Sequence, residues 1–123
     1  MNGFRIVTLL VGLIPLWFGI TGILWGAAEH MGSEPFAAAM DNQYRYLSGV
    51  YIGIALIIFY SAGDLRGRAQ FFQAAIWAIF IGGCARAVSM LMVGTPPEMQ
   101  IVGMFVELGA PALLVLQARA LKR

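Results

Sequence analysis

Four stretches of the chain are almost continuously apolar, and the short segments between them hold most of the polar residues. The stretches cover residues 6–28, 46–62, 74–93 and 101–118. Each is close to the length of about 20 apolar residues that an α-helix needs to cross a hydrocarbon core about 30 Å thick. The pattern therefore predicts an all-α integral membrane protein. We expect one membrane domain, residues 1–123, in which four helices form a bundle with an outer loop at residues 29–45.

The composition supports this prediction and excludes several other classes of protein. Hydrophobic residues make up 60% of the chain and charged residues 11%, with a mean hydropathy of +0.80. A soluble domain has about a quarter of its residues charged, and a disordered chain has few apolar residues. Eight Lys and Arg against six Asp and Glu provide no basic surface for nucleic acid. The single cysteine, Cys84, excludes an internal disulfide and a thiolate metal cluster.

The first apolar stretch has one alternative interpretation, which is a secretory signal. Arg5 precedes the stretch, and the stretch ends in the small residues Gly26, Ala27 and Ala28. The apolar region of a signal is only about 7–15 residues long, however. The longer run at residues 6–28 favours a transmembrane helix.

Charged residues outside the apolar stretches are segregated by sign. The side of the bundle that holds both termini receives Arg5, Arg66, Arg68, Arg119, Lys122 and Arg123. The opposite side receives Glu29, Glu34, Asp41 and Glu98, with Arg45 as its one cation. Short cationic segments next to membrane helices stay in the cytoplasm. The sequence therefore predicts a multi-pass protein with both termini cytoplasmic.

Small residues and prolines predict how the helices pack. Gly12, Gly19, Gly22 and Gly26 lie on roughly one face of the first helix, and GxxxG spacings occur at Gly22/Gly26 and Gly49/Gly53. Small residues let membrane helices approach closely, which leaves two interpretations open: packing inside the bundle or a dimer interface. Pro15 and Pro111 should bend the first and fourth helices, since proline removes a hydrogen bond of the helix interior.

Arg86 and Glu107 are the two charges inside the apolar stretches, and they are the most informative residues. An ionisable group within a membrane is costly and usually faces the protein interior with a partner. The third and fourth helices form a hairpin with Pro96-Pro97 at its tip, and the two residues are equally far in sequence from that tip. They should therefore lie at the same depth in the membrane. We predict a buried Arg86–Glu107 pair, to which Ser89 can donate a further hydrogen bond.

A second polar run, residues 41–46, precedes the second apolar stretch. Asp41 and Arg45 are four residues apart and should meet on one helical face. If Arg45, Tyr44 and Gln43 face inward, they extend the Arg86–Glu107 site into a polar cavity that opens outward. Three interpretations stay open here: a polar network that fixes helix register, a binding site for an anion or headgroup, or a proton-responsive carboxylate whose pKa depends on Arg86.

Other chemistry-bearing residues give no recognisable site. His30 has only Glu29 and Glu34 as nearby ligand-type residues, and Cys84 lies in an apolar helix where a packing role is expected. The chain has no Cys-x-x-Cys, phosphate-binding loop or Ser/His/Asp set. We therefore predict no metal site, no cofactor and no catalytic residues.

Several segments of the chain resemble the domain-of-unknown-function family DUF4345. They are residues 41–49, residues 82–89, residues 94–96, Glu107-Leu108 and Pro111. The resemblance covers nearly the whole chain in the right order. It implies a small bacterial four-helix membrane protein, with a distant similarity to the DoxX-like group, some of whose members associate with quinone-linked redox enzymes. Arg45, Arg86, Ser89 and Glu107 carry the resemblance and are also the residues that the physical argument selects.

These observations lead to a functional hypothesis. The chain is expected to be a non-enzymatic accessory, lipid-binding or small-ligand-binding component of the bacterial inner (cytoplasmic) membrane. Its partners would be membrane lipids, with a larger membrane complex or a second copy as further candidates, and not nucleic acid. One alternative is a redox-associated subunit that acts on a quinone or another lipophilic molecule. A second alternative is a small transporter, which would need to be oligomeric because four short helices enclose little pore.

Overall fold

The computed structural model describes residues 2–31 and 37–122, which form five α-helices and no strand. They are α1 (Asn2–Met31), α2 (Ala38–Ala62), α3 (Ala69–Val93), α4 (Glu98–Gly109) and α5 (Ala112–Leu121). Four segments are long and apolar enough to cross a membrane: Asn2–Ala28, Ala38–Ala62, Ala69–Val93 and Glu98–Leu121. The last of them contains α4 and α5. The predicted all-α, four-helix architecture is confirmed.

The helices extend further than the apolar stretches from which they were predicted. Most notably, α2 begins at Ala38, so the second half of the predicted loop at 29–45 is helical. Similarly, α3 begins at Ala69 and not near residue 74. Hydropathy marks only the apolar part of a helix, whereas the backbone stays helical where polar side chains reach the membrane surface. In α2, Asp41 and Arg45 pair across one turn and stabilise this polar extension.

The helices run antiparallel along the chain, which places both termini at one end of the bundle. We call this the proximal end. The opposite end, where α1 and α3 end and α2 and α4 begin, is the distal end. The helix α1 packs along α2, α3 packs along α4, and α2 lies between α1 and α3. The orientation of these ends across a membrane stays a prediction.

Large apolar side chains fill the proximal half of the bundle. Phe4 of α1 and Phe72 of α3 meet edge to face, with ring centroids 5.3 Å apart, and Ile58 and Ile76 are fully buried beside them. The complete buried cluster is Phe4, Ile58, Leu65, Phe72, Ala75, Ile76 and Ala110. This core ties α1, α2, α3 and the α4–α5 junction together.

The glycine face of α1 is the surface that packs against α2. A Cβ atom at Gly12 would collide with the ring of Phe59, and one at Gly19 would lie 2.7 Å from the carbonyl oxygen of Ser48. At Gly53, in contrast, a Cβ would meet no atom within 4 Å. A Cβ at Gly22 would also collide with the Ser48 side chain, so the GxxxG spacing at Gly22/Gly26 serves packing within the chain, whereas the one at Gly49/Gly53 makes no comparable close contact.

Pro111 interrupts the fourth span as predicted, because α4 ends at Gly109 and α5 begins at Ala112. The helix α1 is different. It continues through Pro15, and its one residue with non-helical backbone angles is Gly26, at φ 74° and ψ −166°. The main irregularity of α1 thus lies 11 residues beyond Pro15, at the point where side chains of α2 contact the α1 backbone.

Candidate functional site

Arg86 of α3 and Glu107 of α4 form the predicted ion pair. The guanidinium Nε lies 3.1 Å from both carboxylate oxygens, Oε1 and Oε2. The two residues come from adjacent antiparallel helices, at heights set by their equal distance from the hairpin tip. The predicted contact between Arg86 and Glu107 is present, but of the two side chains only Glu107 is buried.

Glycines bring the two helices close enough for the pair to form. A Cβ atom on Gly83 would lie 2.9 Å from Cβ of Glu107 and 3.1 Å from the backbone nitrogen of Leu108, closer than side chains normally approach. One on Gly103 would lie 3.9 Å from Oε1 of Glu107 and 4.0 Å from Cζ of Arg86. The glycine at position 83 therefore sets the spacing of α3 and α4 at the ion pair.

Pro111 shapes the backbone at the same point. In a regular helix the carbonyl of Glu107 would accept the N–H of residue 111, but proline has no N–H. The carbonyl instead accepts the N–H of Ala110 at 3.2 Å, which tightens the last turn of α4. Pro111 therefore ends α4 within one turn of the Glu107 carboxylate.

Tyr51 of α2 completes the site, and the sequence analysis missed it. Its hydroxyl donates to Oε1 of Glu107 at 2.7 Å, so the carboxylate is bonded from two helices. A tyrosine in the middle of an apolar helix needs a partner for its hydroxyl, which is the signal that could have identified it. The resulting Tyr51–Glu107–Arg86 network, which we call the distal triad, joins α2, α3 and α4.

The two ions of the distal triad differ in exposure. The Glu107 side chain is 8% exposed, whereas the Arg86 side chain is 37% exposed. The accessible charge of the site is therefore positive. A guanidinium presents planar N–H donors that match carboxylate and phosphate oxygens, so the site has the chemistry to bind an anion or a strong hydrogen-bond acceptor.

Ser89 does not join the distal triad. It is exposed, and within the described part of the chain it makes no hydrogen bond to Arg86 or Glu107. Ser89 is six residues after Gly83, which turns it about 120° away from the face of α3 that contacts Glu107. The prediction that Ser89 donates a hydrogen bond to the pair is thus wrong, and the donor is the hydroxyl of Tyr51.

The polar run of α2 is divided between two faces of the helix. Consecutive helical residues project about 100° apart, so Gln43, Tyr44 and Arg45 cannot all face the distal triad. Tyr44 is half-buried and close enough to Arg86 for an electrostatic interaction, whereas Gln43 is exposed. Arg45 points toward α1. The predicted single cavity containing all three residues is therefore wrong: of the three, Tyr44 lies near Arg86, Gln43 and Tyr44 line a groove on α2, and Arg45 contacts α1.

An apolar groove lies on α2 near its distal end, and one of its lining residues, Tyr44, is close enough to Arg86 for an electrostatic interaction. It has a volume of about 430 Å³ and is lined by Ala39, Met40, Gln43, Tyr44 and Leu47. Met40, Tyr44 and Leu47 are spaced as one helical face, and Tyr51 is the next member of the same face. The groove therefore leads along α2 from the distal end toward the hydroxyl that bonds Glu107. We call it the distal groove.

Asp41 and Arg45 form the predicted pair, with Nε of Arg45 2.8 Å from Oδ2 of Asp41. Their further contacts are with α1. Asp41 Oδ1 accepts the N–H of Ala27 at 3.0 Å, and Arg45 Nη1 donates to the carbonyl oxygen of Ile23. Ala27 N–H and Ile23 C=O are the two groups that would bond each other in an unbroken α-helix. The side-chain pair has therefore replaced one backbone hydrogen bond of α1.

Gly26 makes this replacement possible. Its φ of 74° and ψ of −166° lie in a region that is essentially restricted to glycine. A Cβ at this position would also collide with Asp41 and Arg45. We call the Asp41–Arg45 pair with its two α1 contacts the clamp. It fixes the end of α1 to the start of α2 and is separate from the distal triad.

The proximal half contains a further polar contact that the sequence analysis did not identify. Gln117 of α5 is almost fully buried; its Oε1 accepts a hydrogen bond from Gln73 at 3.1 Å, and its Nε2 donates to the Ala69 carbonyl at 3.2 Å. These bonds satisfy a polar side chain inside an apolar bundle. We interpret them as a structural link between α3 and α5.

Metal-binding clusters of three or more His, Cys, Asp or Glu side chains are not found among the described residues. Cys84 is half-buried in α3. The side chain of His30, together with Glu29 and Glu34, lies outside the residues for which side chains are described.

Tyr51→Phe should lower the free energy of unfolding by about 1.5 kcal/mol, because it removes a hydrogen bond to a buried charged group and changes little else. Unfolding in mixed detergent micelles, followed by circular dichroism, would measure this effect. Tyr46→Phe is the matched control, since Tyr46 is 63% exposed on the same helix. Equal stability of the two variants would contradict a bond between Tyr51 and Glu107.

Comparison with known proteins gives a family but no characterised relative. A family model described as a domain of unknown function, DUF4345, matches residues 3–118. No curated protein and no solved structure matches the chain significantly.

Proposed function

This chain belongs to the family DUF4345, a domain of unknown function, and we propose that it is a non-enzymatic membrane component that binds an amphipathic anion at the distal triad. The ligand places its anionic group against Arg86 and its apolar part in the distal groove. In this proposal the protein lies in the bacterial inner membrane with both termini cytoplasmic. The distal end, and with it the binding site, then faces the periplasm.

The difference in exposure between the two ions carries this proposal. A pair that served only to hold α3 against α4 would be equally well satisfied with both side chains covered. Here Glu107 is bonded from two sides and covered, whereas more than a third of the Arg86 side chain is exposed. The exposed guanidinium is the group that a ligand would reach, and it attracts anions.

The neighbouring groove indicates the rest of the ligand. Arg86 lies seven residues before Val93, the last residue of α3, or about 10 Å along the helix axis. A fully hydrated ion would lose much of its water at that depth. The distal groove, whose lining residue Tyr44 interacts with Arg86, is apolar, and its volume of about 430 Å³ is within the range of small-molecule sites. An anion with an attached apolar chain fits both features better than a free inorganic ion.

A second candidate ligand is a quinone or a similar lipophilic carbonyl compound. The observation that favours it is the set of N–H donors on the partly exposed Arg86 guanidinium, together with the apolar groove on α2. Such donors can bind a carbonyl oxygen as well as a carboxylate. The protein would then accompany a redox enzyme and need not carry out chemistry itself.

Binding of decanoate to the protein in lipid nanodiscs, measured by isothermal titration calorimetry, tests the proposal. The double variant Arg86→Met/Glu107→Met should bind decanoate at least tenfold more weakly, a change of about 1.4 kcal/mol. This variant should still fold, because replacing both members of a buried pair by apolar residues is usually tolerated. Glu107→Gln keeps the cation and should bind at least as tightly as the unaltered chain.

Two controls separate the possible outcomes. Arg66→Gln removes an exposed cation that lines neither groove and should leave decanoate binding unchanged. Decylubiquinone, titrated in the same way, tests the second candidate. If this quinone binds and decanoate does not, the ligand is a lipophilic carbonyl compound and not an anion. Binding of neither compound, or equal decanoate binding by the unaltered chain and the double variant, would contradict the proposed site.

A further inference from the structure

A second groove lies at the proximal end, between the start of α1 and the end of α5. It has a volume of about 320 Å³ and is lined by Phe4, Val7, Leu116, Arg119 and Ala120. The two helices touch each other only sparsely, which leaves the depression open along its length. We call it the proximal groove. It is at the opposite end of the bundle from the distal triad and shares no residue with it.

Unpaired cations surround the proximal groove. Arg119 lies in the last turn of α5 and is exposed, as are Arg5 and Lys122 nearby along the same end of the bundle. Within residues 2–28 and 37–122, none of these three cations has an ion pair. The one acidic residue described at this end is Asp64, whose Oδ1 accepts the N–H of Gly67 in the α2–α3 turn. The groove mouth is therefore positively charged.

The order of charge and apolar surface in the proximal groove matches a bilayer lipid. Arg119 is two residues from the end of α5, at Leu121. Leu116 is three residues further in, about 4.5 Å deeper, and Val7 is about 7.5 Å inward from the start of α1 at Asn2. A phospholipid likewise has its phosphate at the surface and its acyl chains beneath. In the distal site the order is reversed, with the cation deeper than most of the groove.

We propose that the proximal groove binds an anionic phospholipid, with the phosphate on Arg119 and one acyl chain along Phe4, Val7 and Leu116. The guanidinium fork can bond two phosphate oxygens at once, which a diffuse surface charge cannot do. The groove adds apolar contact on two helices, which a flat lipid-facing surface lacks. Binding would bridge α1 and α5 where the protein itself bridges them least. This inference is independent of the function proposed for the distal triad.

Native mass spectrometry of delipidated protein with added phospholipid tests the inference. The probes are dioleoyl phosphatidylglycerol, which is anionic, and dioleoyl phosphatidylcholine, which has the same chains and no net charge. We expect one phosphatidylglycerol to bind at least tenfold more tightly than phosphatidylcholine. Arg119→Gln should abolish this preference, whereas the charge-matched control Arg66→Gln, at the same end of the bundle, should retain it.

The acyl-chain part of the inference has its own variant. Leu116→Trp places a larger side chain in the groove and should weaken binding of both lipids. Leu116 is 45% exposed, so the fold should tolerate this substitution. Leu91→Trp, at a position 87% exposed in α3, is the size-matched control and should bind both lipids normally. Glycerol 1-phosphate, a headgroup without chains, should not bind.

Three results would overturn the inference. Equal effects of Arg119→Gln and Arg66→Gln would show only a general attraction of the basic end for anionic lipid. Binding of glycerol 1-phosphate as tight as that of phosphatidylglycerol would show a phosphate site in which the groove has no role. Unchanged lipid binding in Leu116→Trp would place the acyl chain elsewhere. The variant Arg86→Met/Glu107→Met should bind phosphatidylglycerol normally, so failure at one site does not affect the conclusion at the other.

Discussion

Arg86→Ala is expected to lower the free energy of unfolding by about 3 kcal/mol, since removing one member of a buried pair leaves the other charge without compensation. Glu107 is the member left behind, and its side chain is only 8% exposed. Tyr51 would remain as a partner through its hydrogen bond, but it carries no positive charge. Reversible unfolding in mixed micelles of increasing dodecyl sulfate content would measure the loss.

The companion variants separate the pair from the packing around it. Glu107→Ala leaves Arg86 unpaired, but because Arg86 is 37% exposed it can reach the membrane surface, and the loss should be smaller than for Arg86→Ala. Arg86→Met/Glu107→Met should recover most of the stability that Arg86→Ala loses. If Arg86→Ala unfolds like the unaltered chain, or if the two single losses simply add in a double Ala variant, the ions do not interact.

Gly26→Ala is expected to cost about 3 kcal/mol as well, for a different reason. The φ of 74° and ψ of −166° at Gly26 belong to a region that residues with a Cβ occupy only under strain of about 1–3 kcal/mol. The added Cβ would also collide with Asp41 and Arg45, so the clamp would have to open. The loss should appear in the same unfolding measurement, together with faster amide hydrogen exchange at Ala27.

Gly53→Ala is the matched control for this prediction. A Cβ at Gly53 meets no atom within 4 Å, and alanine favours a helix over glycine by about 1 kcal/mol, so this variant should be as stable as the unaltered chain or slightly more stable. An Asp41→Asn variant tests the clamp without touching Gly26: it weakens the bonds to Ala27 and Arg45 and should cost less than Gly26→Ala. If Gly26→Ala and Gly53→Ala had the same free energy of unfolding, the proposed role of Gly26 in the clamp would be contradicted.

The ion pair could be predicted from the sequence because it depends on few structural unknowns. A tight antiparallel hairpin places residues equidistant from its tip at equal height, and the energetic cost of charge in a membrane requires Arg86 and Glu107 to find partners. Neither argument requires knowledge of how α1 and α2 are arranged.

Tyr51 and Ser89 were not predicted correctly, because the hairpin geometry does not say which further side chains join the ion pair. Whether a side chain joins the pair depends on the rotation of each helix about its own axis, which the hairpin argument does not determine. Ser89 is close to Arg86 in sequence but turned away, whereas Tyr51 is 56 residues from Glu107 and in contact with it. The contact arises because α2 packs beside α3 and the Tyr51 side chain reaches Glu107 of α4, and residue spacing along the chain does not predict that arrangement.

The clamp combines a predictable contact with an unpredictable one. The spacing of Asp41 and Arg45 predicts their pairing, since residues four apart meet on a helix. The partner groups, Ala27 N–H and Ile23 C=O, become available only because α1 breaks at Gly26. Proline is the residue usually associated with a broken helix, so the sequence predicts a bend of α1 at Pro15 instead. At Gly26 the break depends on side chains from another helix.

The distal triad is the central feature of this molecule, and solid-state NMR of the protein in lipid bilayers tests it most directly. With ¹⁵N at Nε of Arg86 and ¹³C at the carboxylate of Glu107, dipolar recoupling reports their separation. The structure predicts strong coupling, because Nε lies 3.1 Å from both carboxylate oxygens, and the coupling should vanish in Arg86→Gln. Absence of coupling in the unaltered chain would mean that the side chains lie apart in the bilayer, and the proposed binding site at Arg86 would lose its structural basis.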